Sequence, residues 1–439
     1  MGEGRVGRGL TRRDFLGLSA GAGAGLVLAG CGGGPQNNPA VQGTGGGGGK
    51  SYDGPKVELA FWNGFTGGDG PYMRQLVEQF SSEHKNIQVK MNTVDWVDYY
   101  QTVPQVVRSG KGPDVGIMHS DQLGTNAARA VIIPLDDVSS ALGLKESDFA
   151  SLIWNAGIYN GSRYGIPLDS HPLGFYYNKA LMEEAGLDPN KPPQTRDEYE
   201  AALEELKSAG IQGSWVSPFP FTGVLQWESL LWQFGGDLYN GDVTQATFNS
   251  GAGVEALEWM VGLVEDGHSP KNVAQDAEYV AFQNGKNAFH WNGIWQINAF
   301  KEIEDLDWGV APVPQIGTEN GVWSGSHNFV IMNQQPLDDN KVQASKVFIN
   351  WISQKSLEWA KAGQVPARNS VRESSEFQNL EEQSILAQQV DYVHFVPAVP
   401  GIGDVQVGSF DIAVNEAILL RKEPKAALDE AAGKADQLL

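Results

Sequence analysis

Lys56-Val57-Glu58-Leu59-Ala60-Phe61-Trp62 runs into Asn63-Gly64. The apolar run reads as a strand, and Asn-Gly stops it. Downstream, Pro71 opens a helix whose Met73, Leu76, Val77 and Phe80 recur at helical spacing. Ile87-Gln88-Val89-Lys90-Met91 alternates as a second strand. Tyr99 to Val107 predicts another helix, with Pro104 as its start or a kink. Asp114-Val115-Gly116-Ile117-Met118 is a short buried strand after Gly112-Pro113. This β-α-β-α order predicts an α/β protein with a mostly parallel sheet covered by helices on both faces.

The pattern resumes further on. Gly174-Phe175-Tyr176-Tyr177 is a strand, and Thr195 with Glu198 forms a capping box for a helix from Arg196 to Ser208. Gly253 to Val264 is amphipathic, and Ala288-Phe289-His290-Trp291 is a strand before Asn292-Gly293. Ser345 to Gln354 and Ser356 to Ala362 predict helices with buried Trp and Phe, and a last helix starts at Pro424. No internal repeat is visible. The alternation fits two lobes, with crossings at Ile166-Pro167-Leu168-Asp169 and Val310 to Pro314. Ligands of open α/β lobes sit beyond the carboxyl ends of strands, so residues just after each strand are the candidates.

The amino terminus predicts where the protein works. Thr11-Arg12-Arg13-Asp14-Phe15-Leu16 resembles a twin-arginine export signal, and Leu28-Ala29-Gly30-Cys31 resembles a lipobox. The apolar run between them is short of the ~20 residues of a membrane span and fits a signal peptide. Residues 1–31 are therefore expected to direct export, with Cys31 lipidated and anchoring the chain to the outer face of the cytoplasmic membrane. Two acyl chains, usual for such lipoproteins, would anchor stably where one would not. Residues 32–51 are Gly-rich and predict a flexible tether.

Cys31 is the one cysteine among 439 residues, which excludes intrachain disulfides, thiolate zinc sites and iron–sulfur clusters. Roughly 390 residues follow the tether, enough for two cores. The formal net charge of -22 argues against nucleic acid or anionic lipid as a partner. The 13 tryptophans raise the expectation of carbohydrate, whose C–H faces pack on indole rings.

Several motifs carry nothing. Gly17-Leu18-Ser19-Ala20-Gly21 matches a nucleophile elbow but lies in the export signal. Gly49-Lys50-Ser51 ends like a P-loop, yet Thr44 stands where its first glycine belongs. The seven histidines show no metal-ligand spacing, and no metal or cofactor is expected. His119, His171, His290 and His327 nevertheless fall near predicted strand ends or crossings. Tyr99-Tyr100 and Tyr176-Tyr177 raise ferric iron as an alternative, although neighbours on a strand face opposite ways, one to the core and one to the surface.

From Val57 to Leu439 the chain resembles the extracellular sugar-binding proteins of ABC importers, the group that includes maltose-binding protein. The resemblance rests on Leu59 to Gly64, Gly112-Pro113-Asp114-Val115, His119-Ser120-Asp121, Tyr164 to Asp169, Tyr176-Tyr177-Asn178-Lys179 with Glu184-Ala185-Gly186-Leu187, Phe282 to Ala288 with Asn292-Gly293-Ile294-Trp295, Gly309 to Pro314, and Gly363 to Arg368. It implies a two-lobed type II periplasmic-binding-protein fold, hinged near 166–170 and 309–314. Residues 52–168 and 314–365 would form the N-terminal lobe, and 169–309 and 366–439 the C-terminal lobe. It also implies a non-enzymatic, monomeric receptor that delivers a mono- or oligosaccharide to a membrane permease.

By the same resemblance, Trp295 matches a stacking tryptophan and Asp169 an acid that binds sugar hydroxyls. Asp121 matches an acid after the third strand, and Arg368 a basic residue used by some members. Phe221 and Trp227 fall in a loop corresponding to an aromatic wall, and Asn63 and Asp69 on the first strand-end loop. Trp323-Ser324-Gly325-Ser326-His327-Asn328 departs from the family pattern; with Asp169-Ser170-His171 it predicts a histidine-bearing pocket that titrates between about pH 5 and 8. The competing readings are an exported carbohydrate-active enzyme, which needs two carboxylates roughly 5–9.5 Å apart, and a binder of a polyol phosphate or ferric ion.

Overall fold

The structure, a computed structural model, describes residues 51–439. The export signal, Cys31 and all of the tether but Ser51 lie outside the described residues. Among the described residues, no helix is long and apolar enough to cross a membrane.

Two mixed sheets organise the chain. The first starts with β1 (Val57–Asn63), β2 (Ile87–Thr93), β3 (Val115–His119) and β4 (Ile166–Pro167). β2 and β3 both pair with β1 in parallel, as the helical crossovers require. Sheet position explains the burial patterns. β2 is an edge strand, so Ile87 and Val89 are buried while Gln88 and Lys90 are exposed. β3 is central, and Val115 to Met118 are all buried. The connecting helices are α1 (Gly70–Glu83) and α2 (Trp96–Arg108). Asp95 Oδ1 accepts from Val97 N at 2.9 Å and starts α2, so Pro104 lies inside this helix and does not begin it. α3 (Ser120–Ala128) follows β3 directly.

After Leu168 the chain enters the second sheet with the long β5 (Asp169–Asn178), then β6 (Phe289–Gly293), β7 (Trp308–Ala311) and β8 (Val322–Gly325). It returns to the first sheet through Ser326 and β9 (His327–Ile331), which is antiparallel to β3 and β4. β10 (Val365–Pro366) and β11 (Val393–His394) complete the second sheet. The strand orders are β2-β1-β3-β9-β4 and β10-β5-β8-β11, with β6 and β7 also pairing β5.

Three expectations are corrected. The second sheet is mainly antiparallel, because β6, β7, β8 and β10 all run against β5. The second crossing lies at Ser326, not at 309–314; Trp308–Ala311 is an internal strand, and residues 322–325 belong to the second sheet instead of the N-terminal lobe. Tyr176 and Tyr177 are both buried, at 0% and 7% exposure, because β5 is covered on both faces.

Aromatic packing closes each core. Phe61 of β1 meets Phe348 of the helix Asp339–Gln354 at 5.2 Å, and Phe80 of α1 meets the same ring at 5.0 Å. In the second core Phe289 packs on Phe175 at 5.2 Å and on Tyr199 at 5.3 Å. Each such ring contributes about 1.5–3 kcal/mol by leaving water. Tyr199 belongs to the helix Arg196–Ser208, which carries the expected capping box: Thr195 Oγ1 accepts from Glu198 N, and Glu198 Oε2 accepts from Thr195 N, each at 3.3 Å.

Candidate functional site

Two of the three passages between the sheets, at Leu168 and Ser326, run side by side, and Leu168 N donates to His327 O at 2.8 Å. Register then decides what meets. His327 lies opposite His119 in the β9–β3 ladder, and Gly325 lies opposite His171 in the β8–β5 ladder. Three histidines far apart in sequence thus share one junction. Their ring centroids are 4.9 Å (His119–His327), 4.3 Å (His171–His327) and 5.6 Å (His119–His171) apart.

Asp169 is the hub. It is fully buried, and both oxygens are engaged. Oδ1 accepts from His327 N at 3.0 Å and from His171 Nδ1 at 3.2 Å; Oδ2 accepts from His327 Nδ1 at 2.8 Å and Trp359 Nε1 at 2.7 Å. The expected role in binding sugar hydroxyls is therefore corrected, since its acceptor sites serve the protein. Burial alone would raise its pKa, but His327 and His171, by charge and hydrogen bond, hold it below the usual carboxylate range.

Burial shifts two of the three clustered histidines. Burial, then the neighbouring His327, pushes His171 down to about 4. Burial, then His327 and His171, holds His119 well below its ordinary value. His290 is a core residue, bonded to Asn292 and pushed down to about 3 by burial.

Gly325 has no side chain because His171 fills the space: a Cβ there would sit 2.0 Å from His171 Nε2. The ring cannot yield without leaving Asp169. Gly325→Ala is expected to cost about 1–3 kcal/mol by overpacking, read as a lowered unfolding midpoint in urea.

Aromatic rings surround the hub. Trp96 stacks on His327 at 5.8 Å and tilts against His119 at 4.4 Å. Phe65 meets His327 at 5.0 Å and Trp359 at 4.8 Å. On the second-sheet side, the half-buried Trp295 lies 6.0 Å from His171, 6.4 Å from Trp323 and 6.0 Å from Phe221. Phe221 is 68% exposed and forms the rim of this group.

Acids approach from both sides. Asp69 precedes α1; its Oδ1 is buried without a hydrogen-bond partner, and burial raises its pKa against the lowering pull of His327. Asp121, at the start of α3, is raised by burial although Gln122 donates to it at 2.7 Å. Glu228, on the helix Leu225–Gln233, is raised well above its ordinary value by burial, then by Asp411 and Asp121. None of the charges that shift Asp69, Asp121, Asp169 or Glu228 is a lysine or arginine.

Asp411 gives a pH test. Burial raises it to about 6, against about 3.9 in an unfolded chain. Between those values the unfolded state ionises while the folded state keeps its proton, so stability falls as pH rises and levels off above about 6. Asp411→Asn removes this penalty. The variant is expected to gain on the parent by up to roughly 2–3 kcal/mol between pH 4 and 6, and no further above, in urea unfolding.

The structure gathers His119, Asp169, His171, Trp295, Phe221 and His327, with Asp69 within electrostatic reach of His327 and Asp121 of Glu228. Asn63 is buried at the end of β1; its Oδ1 accepts from Phe65 N and Thr93 Oγ1, so it orders the first loop. Two residues fall elsewhere. Trp227 is fully buried against Phe248 and Phe410 and donates to Gly253 O at 3.0 Å, which makes it core. Arg368 bonds Ser353 and lies over Phe149, a structural role. Trp96, Tyr100, Trp323, Trp359 and Glu228 were absent from the expected set. Trp96 and Tyr100 follow β2, so the strand-end rule reaches them; nothing in the local sequence marks Glu228 or Trp359.

One nitrogen from each of His119, His171 and His327 lies within 4.8 Å of the others, a grouping able to hold a metal ion. A separate groove of about 950 Å³, lined by Arg196, Glu200, Glu255 and Trp259, includes none of these residues.

The pattern of bacterial extracellular solute-binding proteins matches residues 66–356. A putative binding protein of Brucella abortus (strain 2308) is 26% identical over 84% of this chain and 90% of its own length. The sn-glycerol-3-phosphate-binding periplasmic protein of Pectobacterium atrosepticum is 22% identical over 87% of this chain and 91% of its own. Among solved structures, a cyclic alpha-maltosyl-1,6-maltose binding protein from Arthrobacter globiformis has a TM-score of 0.76 at 24% identity, covering 88% of this chain and 99% of that one. The shared architecture is the two-lobed α/β fold.

Proposed function

We propose, from the premise that this chain belongs to the bacterial extracellular solute-binding protein family, that it captures a mono- or oligosaccharide between its lobes and delivers it to an ABC permease. The observation that carries this is Trp295, half-buried among Trp323, Phe221 and His171. Indole rings suit the C–H faces of a sugar, and carboxyl groups suit its hydroxyl edge. A phosphate ligand is disfavoured, because Asp69, Asp121 and Glu228 are shifted by no lysine or arginine. The passages at Leu168 and Ser326 would serve as the hinge, with the lobes divided by sheet membership.

The chain acts as a monomeric receptor and not as an enzyme. Its relatives are named as binding proteins, which supports this. Lipid on Cys31 would hold it beside the permease on the outer face of the membrane, a reading carried by Leu28-Ala29-Gly30-Cys31. Incubation with mono-, di- and trisaccharides, followed by tryptophan fluorescence and by analysis of the sugar afterwards, tests this. Saturable change with the sugar recovered intact is expected; consumption of the sugar would replace the receptor with an enzyme.

A further inference from the structure

We propose that His119, His171 and His327 bind a divalent first-row transition cation, with Zn2+ the expected occupant, at the junction of the two sheets. This inference is independent of the sugar reading.

The geometry has three parts. One nitrogen of each ring lies within 4.8 Å of the others. Each ring is also held at Nδ1 by an oxygen: His171 and His327 by Asp169 at 3.2 and 2.8 Å, and His119 by the Tyr100 hydroxyl at 2.8 Å. Nε2 is the ring atom these bonds leave unengaged, and the 4.8 Å grouping takes one ring nitrogen, Nδ1 or Nε2, from each histidine. A metal-binding imidazole is ordinarily oriented in this way, its other N–H donated to a carboxylate or another oxygen. Third, the surrounding charge is negative. Asp69 and Asp169 both interact with His327, Asp169 also acts on His119 and His171, and no lysine or arginine shifts those two rings.

The donor chemistry selects the cation. Three imidazoles without a thiolate suit zinc, copper, nickel or ferrous iron over magnesium or calcium, which prefer oxygen. Tetrahedral coordination at about 2.0–2.1 Å needs nitrogens about 3.3 Å apart, so the rings must draw together from the separation seen here. His119 and His327 sit on the first sheet and His171 on the second. A bound cation would therefore tie the sheets together. Three ligands also leave a fourth position for water or a ligand oxygen.

The test uses the full chain, purified without a histidine tag and freed of metal with chelator. Zn2+ is titrated by calorimetry and Co2+ by visible absorption, which reports tetrahedral nitrogen ligation directly. One equivalent is expected to bind, with affinity lowered at least 10-fold in His171→Gln and in His327→Gln, and about 10-fold in Tyr100→Phe through the orientation of His119. Circular dichroism confirms that each variant is folded; Tyr100→Phe keeps the test open if a histidine variant unfolds. Absence of Co2+ bands, or Zn2+ binding that survives both histidine substitutions, overturns the proposal. Sugar titration in chelator separates the two readings. Sugar binding without metal binding overturns this proposal alone, and metal binding without sugar binding overturns the sugar reading alone.

Discussion

Asp169→Ala is expected to destabilise the protein by about 3–5 kcal/mol, the usual cost of removing one member of a buried charged network. Four donors converge on this carboxylate, and each loses its acceptor: the Nδ1 atoms of His171 and His327, the backbone N–H of His327, and Trp359 Nε1. Hydrogen bonds to a buried charge are worth about 1.5–3 kcal/mol each, more than neutral ones. Asp169→Asn should recover little, because its amide N–H groups would face the same donors. The pH dependence has a defined sign. The folded pKa lies below the unfolded value, so the stabilisation is present above about pH 4 and fades as pH falls towards the folded pKa. The gap between parent and variant should therefore narrow in acid. Urea unfolding at pH 7 and pH 3.5 checks both points. A loss under about 1 kcal/mol at pH 7 would mean the hub is not structural.

Trp295→Ala is expected to weaken sugar binding by about 30-fold, roughly 2 kcal/mol, as for a central aromatic anchor. The ring is held in place, because Gly293 leaves room that a Cβ, 2.0 Å from it, would take away. Trp295 is half-buried, so its loss should change stability by less than about 1 kcal/mol. Trp227→Ala is the contrast. That residue is fully buried, so it should cost about 3–5 kcal/mol of stability and leave the affinity of the folded fraction unchanged. Calorimetric Kd values paired with unfolding curves for both variants separate an anchor from a core ring. Equal affinity loss in both would contradict the assignment.

What the sequence reveals here depends on how local the cause is. The first strand, the helix with its Thr195–Glu198 capping box, and the crossing at Leu168 all follow from adjacent residues. The second crossing does not. Pro312 and Pro314 suggest an extended link, yet Trp308–Ala311 is claimed by β5, whose length lets it pair on both sides. The histidine cluster was visible only as separate strand-end residues. Its convergence depends on the register of two strand pairings, which no local pattern encodes. Trp227 and Arg368 lie in the segments the resemblance indicates, but helix rotation turns Trp227 inward, and Ser353 and Phe149 hold Arg368. Asp169 is legible by its position, but the four protein donors that converge on it are not.

The most direct test of the receptor reading is calorimetric titration of the purified protein with glucose, maltose and maltotriose, a matching set of β-linked sugars, and glycerol 3-phosphate. The account predicts saturable one-to-one binding of one or a few sugars, with a Kd of about 1 μM corresponding to about −8 kcal/mol, and no binding of the phosphate. Saturable binding of glycerol 3-phosphate, with no heat from any sugar, would contradict it.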